Sequence, residues 1–260
     1  TVPLQPVAGM LTELNVHISS VERGQKAGPI RGMDIYHDRI MHILVVGEDL
    51  KVFAHIHPED WRPVTEQMKK DALFPLRYIF PKAGRYTIVV NYVQGGKELS
   101  QQSFMEVSGQ PLMQKNTDAA GEFNTDHTIV KDFDGYHVIV DIPAHITAGS
   151  MTKLAYTIEK DGKKLTDLEP YLGAAMHLAI VRADLGRVIR TQGQPHVSGW
   201  VSFQQLFQHY ASYQSQVVPD HFGPDIQVHT IFSQPGIYEI FGEFRHESRV
   251  ITSSFTVHVE

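Results

Sequence analysis

Three histidines of this chain fall at a spacing that can do chemistry. His42 closes the segment His37-Asp-Arg-Ile-Met-His42, and His55 and His57 lie in Phe53-Ala-His-Ile-His-Pro58. The apolar runs around Gly47-Glu-Asp-Leu50 predict a β-hairpin. A turn centred on Glu48 and Asp49 sets His42 directly opposite His55, with Cβ atoms about 4.5–5.5 Å apart. His57 lies two residues from His55 and so projects from the same face. Three imidazoles on one patch can hold a zinc or copper ion, whose ligand nitrogens stand at about 2.0–2.1 Å. His37 is the expected fourth ligand. Met41 alternates onto the opposite face and is not a first choice. A register slip of one residue would send His42 to the other face and leave it an ordinary core histidine.

The elements that must position these residues come from a duplication. Ala8-Gly-Met-Leu-Thr-Glu-Leu-Asn-Val-His-Ile18 aligns with Ala148-Gly-Ser-Met-Thr-Lys-Leu-Ala-Tyr-Thr-Ile158. Asp34 to His42 aligns with Glu169 to His177, Ile79 to Tyr86 with Ile231 to Tyr238, and Ser103-Phe104 with Ser254-Phe255. Collinear blocks of this kind mark an internal repeat. Alternation such as Leu14, Val16, Ile18 and Tyr136, Val138, Val140 reads as strands, with Gly, Pro and Asp between the short runs. The expected fold is all-β, two tandem Ig-like or cupredoxin-like β-sandwich domains with a short helical insertion in the second. Residues 1–109 form the first, 110–125 a linker, and 126–260 the second, with the insertion at about 197–220. Domain two opens with the strand at Tyr136–Val140 before Pro143, and Pro3 stands at the matching place in domain one. The first strand of domain one is therefore expected to be missing, either because the chain is processed or trimmed or because another chain completes an open edge.

The second copy is a natural control. His177 keeps the place of His42, but Arg190 and Gln192 stand where His55 and His57 would be. The three-imidazole patch is thus broken there. His177, His229 and His196 are an alternative second set; otherwise they are structural or surface histidines. A permanent cation at Arg190 disfavours a second positive ion beside His177.

Composition sets the outer bounds. The chain has 260 residues, a formal net charge of -6 and no cysteine. The absence of cysteine excludes disulfides and thiolate ligands, so a transition metal must use imidazole, thioether or carboxylate. The negative balance gives no reason to expect nucleic acid. No apolar run approaches the ~18 residues of a membrane span.

These residues resemble a family of bacterial exported proteins often met beside metal-handling genes. Its first-domain pattern, His-(Glu/Asp)-(Lys/Arg)-X-Met-His, Glu-Asp-Leu and Phe-X-His-Ile-His-Pro, is met here at residues 37–42, 48–50 and 53–58. Its second-domain pattern is met at Tyr171-Leu-Gly-Ala174, His177, Gly223-Pro224 and His229-Thr230. Family members usually carry His-X-His-Pro in the second domain too, and this chain departs from that at Arg190 and Gln192. The resemblance implies a periplasmic or secreted location and favours copper over zinc.

Binding rather than catalysis is the expected role. No Gly-X-Ser-X-Gly, P-loop or HExxH motif is present. Two alternatives stay open: a His-metal enzyme using an open coordination position, and a non-catalytic adhesion or assembly module of tandem sandwiches. The expected partners are a metal ion and either a second copy of the chain or a strand-donating chain. Affinity for the ion is expected to fall as the pH drops through about 6.5, because imidazole binds only when deprotonated.

Overall fold

The computed structural model describes residues 5–20, 28–109, 128–183, 188–195 and 218–260. The chain divides into two compact units, Thr1–Ala119 and Ala120–Glu260, and each is a β-sandwich. The linker expected at 110–125 lies outside the described residues, as does nearly all of the helical insertion expected at about 197–220.

The first unit holds β1 (Leu11–His17), β2 (Ser19–Ser20), β3 (Gly28–Pro29), β4 (Met33–Asp34), β5 (His42–Gly47), β6 (Phe53–Ile56), β7 (Leu73–Ile79), β8 (Gly84–Gln94) and β9 (Lys97–Val107). A 3-10 turn at Pro58–Asp60 and the short helix α1 (Glu66–Asp71) fill the connection from β6 to β7. One layer is the antiparallel pair β1-β7. The other runs β4-β8-β5-β6, with β9 on the free side of β8. Alternation decides which side chains enter the core: Met41, Ile43 and Val45 are all buried and pack with Phe74, Leu76 and Ile88. His42 and Leu44 therefore belong to the opposite face of β5. That placement agrees with the expectation for Met41, which is fully buried in the core.

The second unit holds β10 (Thr128–Phe133), β11 (Tyr136–Asp141), β12 (Met151–Lys160), β13 (Lys163–Lys164), β14 (Met176–Arg182), β15 (Val188–Pro195), β16 (Asp225–Ile231), β17 (Gly236–His246) and β18 (Arg249–Val259). Its strands form one continuous sheet, β10-β11-β12-β16-β15-β14-β17-β18, folded over a single core. β15 joins the two halves because it runs on to Pro195 and pairs with β16 from Gly193 to Pro195. In the first unit the corresponding strand stops at Ile56, since Pro58 begins the 3-10 turn instead.

Matched hydrogen bonds carry the duplication into three dimensions. Ala8 N–H donates to Ser108 O and Ala148 N–H to Glu260 O, both at 2.8 Å. Gly9 N–H donates to Phe80 O and Gly149 N–H to Phe232 O, again at 2.8 Å. The Tyr86 hydroxyl donates to Lys82 O and that of Tyr238 to Gln234 O. One block needs correction. Ile88 pairs with Ser103, and Ile240 pairs with Phe255. Ser103, not Phe104, is thus the counterpart of Phe255. The slip of one residue swaps faces, and accordingly Phe104 is 56% exposed while Phe255 is fully buried.

Candidate metal centre

The hairpin that presents the histidines is closed one residue later than its sequence suggests. Gly47 N–H donates to Val52 O, and Leu50 N–H returns to Gly47 O. Leu50 takes the left-handed conformation, φ 58°. The Asp49 carboxylate accepts from Lys51 N–H and pairs with Lys82, which holds Asp49 inside the turn. The turn is therefore centred on Asp49 and Leu50. Leu44, not His42, faces His55, and by continuation His42 faces His57. A shift of the centre by one residue moves the partner by two, so every side chain keeps its face. The expected pairing was incorrect, yet the expected convergence survives.

His42 and His57 are each 1% exposed, and His55 is half-buried. Their nitrogens form a near-equilateral triangle. His42 Nδ1 lies 2.9 Å from His55 Nε2, His57 Nε2 lies 3.2 Å from His42 Nδ1, and His57 Nε2 lies 3.1 Å from His55 Nε2. A tetrahedral ion with bonds of about 2.0–2.1 Å needs nitrogens about 3.3 Å apart. The triangle is within a few tenths of an ångström of that.

The outer nitrogens fix which tautomer each ring takes when neutral. His42 Nε2 lies 3.0 Å from the carbonyl oxygen of Tyr36, an acceptor only, so Nε2 carries the proton and Nδ1 presents a lone pair. His57 Nδ1 lies 3.1 Å from Asp60 Oδ2, so Nδ1–H donates and Nε2 presents its lone pair. Burial alone would raise the Asp60 carboxyl, but hydrogen bonds from His57 and the nearby charge of Arg39 hold it below the ordinary carboxylate value. Asp60 remains ionised as the acceptor. Two lone pairs then face each other at 3.2 Å, with a third nitrogen beside them. With both rings neutral, no hydrogen bond can form directly between His42 Nδ1 and His57 Nε2, since neither carries a proton. A cation satisfies all three, and a carboxylate behind a ligating histidine is the usual outer support of such a site.

The support is built by the turn after β6. Pro58 starts the 3-10 turn, and Asp60 Oδ2 also accepts from His57 N–H at 2.7 Å. Glu59 Oε1 accepts from Ile40 N–H at 2.8 Å and ties this turn to the approach to β5. Sequence reasoning missed Asp60. The signal was present: a strand-end residue followed by proline and, three positions on, by an acid is a helix-start pattern.

His37 does not join the trio. It sits with Asp38 in a left-handed turn, φ 48° and 60°. Its ring stacks edge-on with Tyr36, and its centroid lies 6.2 Å from that of His42. Among the described residues, His42, His55 and His57 are the group whose ligand atoms all converge.

The model of one domain family, described as a domain of unknown function (DUF8832), matches residues 3–109 and again 131–260. The chain belongs to the DUF8832 family. A comparison with curated proteins finds no match. Among solved structures the chain is similar to the FN1–FN3 domains of chicken CNTN1, with 6% identity and a TM-score of 0.22, covering 95% of this chain and 60% of that one. It is also similar to a chimeric titin Z1Z2 carrying a decorin peptide (11% identity, TM-score 0.22, 99% and 94% covered). Bovine butyrophilin is a third (8% identity, TM-score 0.23, 99% and 95% covered). Likenesses this weak carry no argument here.

The second DUF8832 region keeps the frame of the site and changes its donors. His177 Nε2 lies 2.9 Å from Tyr171 O, repeating the His42–Tyr36 contact. The turn bonds repeat as well, Tyr36 with Arg39 and Tyr171 with Ala174. Gln192 pairs with His177 and Arg190 with Ala179, which places them at the positions of His57 and His55. On the other side of the histidine, Asn91 faces His42 and Glu243 faces His177. His229 lies on β16, separated from the β14 of His177 by β15. His196, the remaining member of the alternative second set, lies outside the described residues.

Proposed function

We propose that this protein is a metal-binding protein that holds one transition-metal ion through His42, His55 and His57 of its first domain, and that its role is binding rather than catalysis. The observation that carries the reading is the convergence of His42 Nδ1, His55 Nε2 and His57 Nε2 at 2.9–3.2 Å from one another, with Tyr36 O and Asp60 behind the His42 and His57 rings. Copper is favoured over zinc. An all-imidazole set suits both, and Cu(II) binds a given nitrogen site more tightly. The family pattern, read as exported and close to metal handling, supports copper and a periplasmic or secreted location. Three protein nitrogens leave a fourth position for water or an exogenous ligand. Asp60 keeps the His57 ring oriented, and half-buried His55 gives the ion a way in from solvent. Elemental analysis of protein purified without a metal-affinity tag, followed by calorimetric titration with Cu(II) and Zn(II), tests this. One equivalent of ion with Cu(II) the tighter is expected. Absence of binding by either metal would sink the reading.

A further inference from the structure

Strand β1 offers an open edge that its counterpart does not. β7 pairs along one side of β1, and among the described residues no strand pairs along the other. Asn15 lies opposite Pro75, which has no N–H. That pair is therefore non-hydrogen-bonded, and the antiparallel alternation turns the N–H and C=O groups of Glu13, Asn15 and His17 away from β7. The bond from Ile18 N–H to Ala72 O, 3.0 Å, keeps the same alternation. In the second domain β12 meets β16 on one side and β11 on the other. With β11 in place, Leu154, Tyr156 and Ile158 are fully buried. Their counterparts Leu14, Val16 and Ile18 are only partly so.

The second domain thus shows what fills such an edge. β11 runs antiparallel to its neighbour and sends Tyr136, Val138 and Val140 inward, all fully buried. We propose that β1 of a second copy of this chain fills that place on the first domain, antiparallel across a two-fold axis at Asn15. β1 and the residue after it carry the pattern required of the occupant, with apolar residues at Leu14, Val16 and Ile18. Antiparallel pairing is the direction that a two-fold axis imposes on a strand meeting itself. This register sets Leu14 of one copy against Val16 of the other, and the carboxylate of Glu13 against the imidazole of His17. β1 also lacks the lysine or proline that commonly guards an edge from pairing.

Light scattering and sedimentation at tens of micromolar decide the matter. The parent is expected to be a dimer. Asn15→Pro removes one outward N–H and leaves the β7 ladder untouched, so it should yield a monomer with unchanged circular dichroism. Should Asn15→Pro fail to fold, Asn15→Lys, at an exposed position, sets like charges against each other at the axis. That variant should weaken the dimer, and more so at low salt. Hydrogen exchange at Glu13, Asn15 and His17 should be slow in the parent and fast in the monomeric variant. A monomeric parent overturns the proposal, whether those amides exchange slowly because a segment of the same chain covers the edge or fast because nothing does. A dimer that both variants leave intact overturns it as well.

Discussion

The two copies share a strand register and an anchored histidine, yet among the described residues only the first gathers three imidazoles. His42 and His177 occupy equivalent places and touch equivalent carbonyls, those of Tyr36 and Tyr171. The differences lie on the strands to either side. Where the first copy has His55, His57 and neutral Asn91, the second has Arg190, Gln192 and the buried acid Glu243. The second copy thus has an arginine and a glutamate at register positions where the first has a histidine and an asparagine. The frame is therefore separable from the donors.

Removing the donors should have the largest effect. His55→Ala with His57→Ala should abolish tight Cu(II) binding in calorimetry, whereas His177→Ala should leave it within about the ±0.5 kcal/mol of a neutral substitution. Equal binding by the double variant and the parent would remove the proposed site. Loss confined to His177→Ala would move it to the second domain.

The reverse exchange sharpens the same comparison. Arg190→His with Gln192→His gives the second copy the donor set of the first on a strand of the same register. The stoichiometry of Cu(II) should rise from one to two, with the new site the weaker because the 3-10 turn that supplies Asp60 has no counterpart where β15 continues to Pro195. An unchanged stoichiometry would show that the hairpin register alone does not place the donors.

Asp60→Asn tests that outer support directly. Affinity for the ion should fall about 10–100-fold while the fold persists, as expected for a group that orients a ligand rather than binding the metal. No change would reduce Asp60 to a cap of its own turn.

The smallest effect contrasts an outward pair in the two copies. Glu13 and Arg77 form an ion pair at 3.0 Å in the first, and Lys153 faces His229 in the second. Burial first, and then the Lys153 charge, lowers the His229 pKa below its ordinary value of about 6.5. The folded state thus favours neutral His229, and the associated stability is full above about 6.5 and lost as the pH falls below it. Lys153→Gln should move the His229 titration, followed by NMR, part of the way back up. A downward move would contradict the assigned cause.

The sequence by itself determined the duplication, the all-β class and the shared face of His42, His55 and His57. Those are local or periodic properties: a strand alternates wherever it lies, and an error of two residues in register leaves the face unchanged. It did not determine which residues stand opposite one another, because that depended on Leu50 adopting a left-handed conformation and on Asp49 holding the turn. Nor did it place His37, whose ring the left-handed turn at His37 and Asp38 leaves outside the converging trio. Only the tertiary structure decided which acceptors stand behind the ring nitrogens. Tyr36 O comes from six residues before His42 and Asp60 from a turn beyond the hairpin. Where these two acceptors meet the outer nitrogens, the neutral rings turn their lone pairs inward, and a cluster of histidines becomes a candidate seat for a cation.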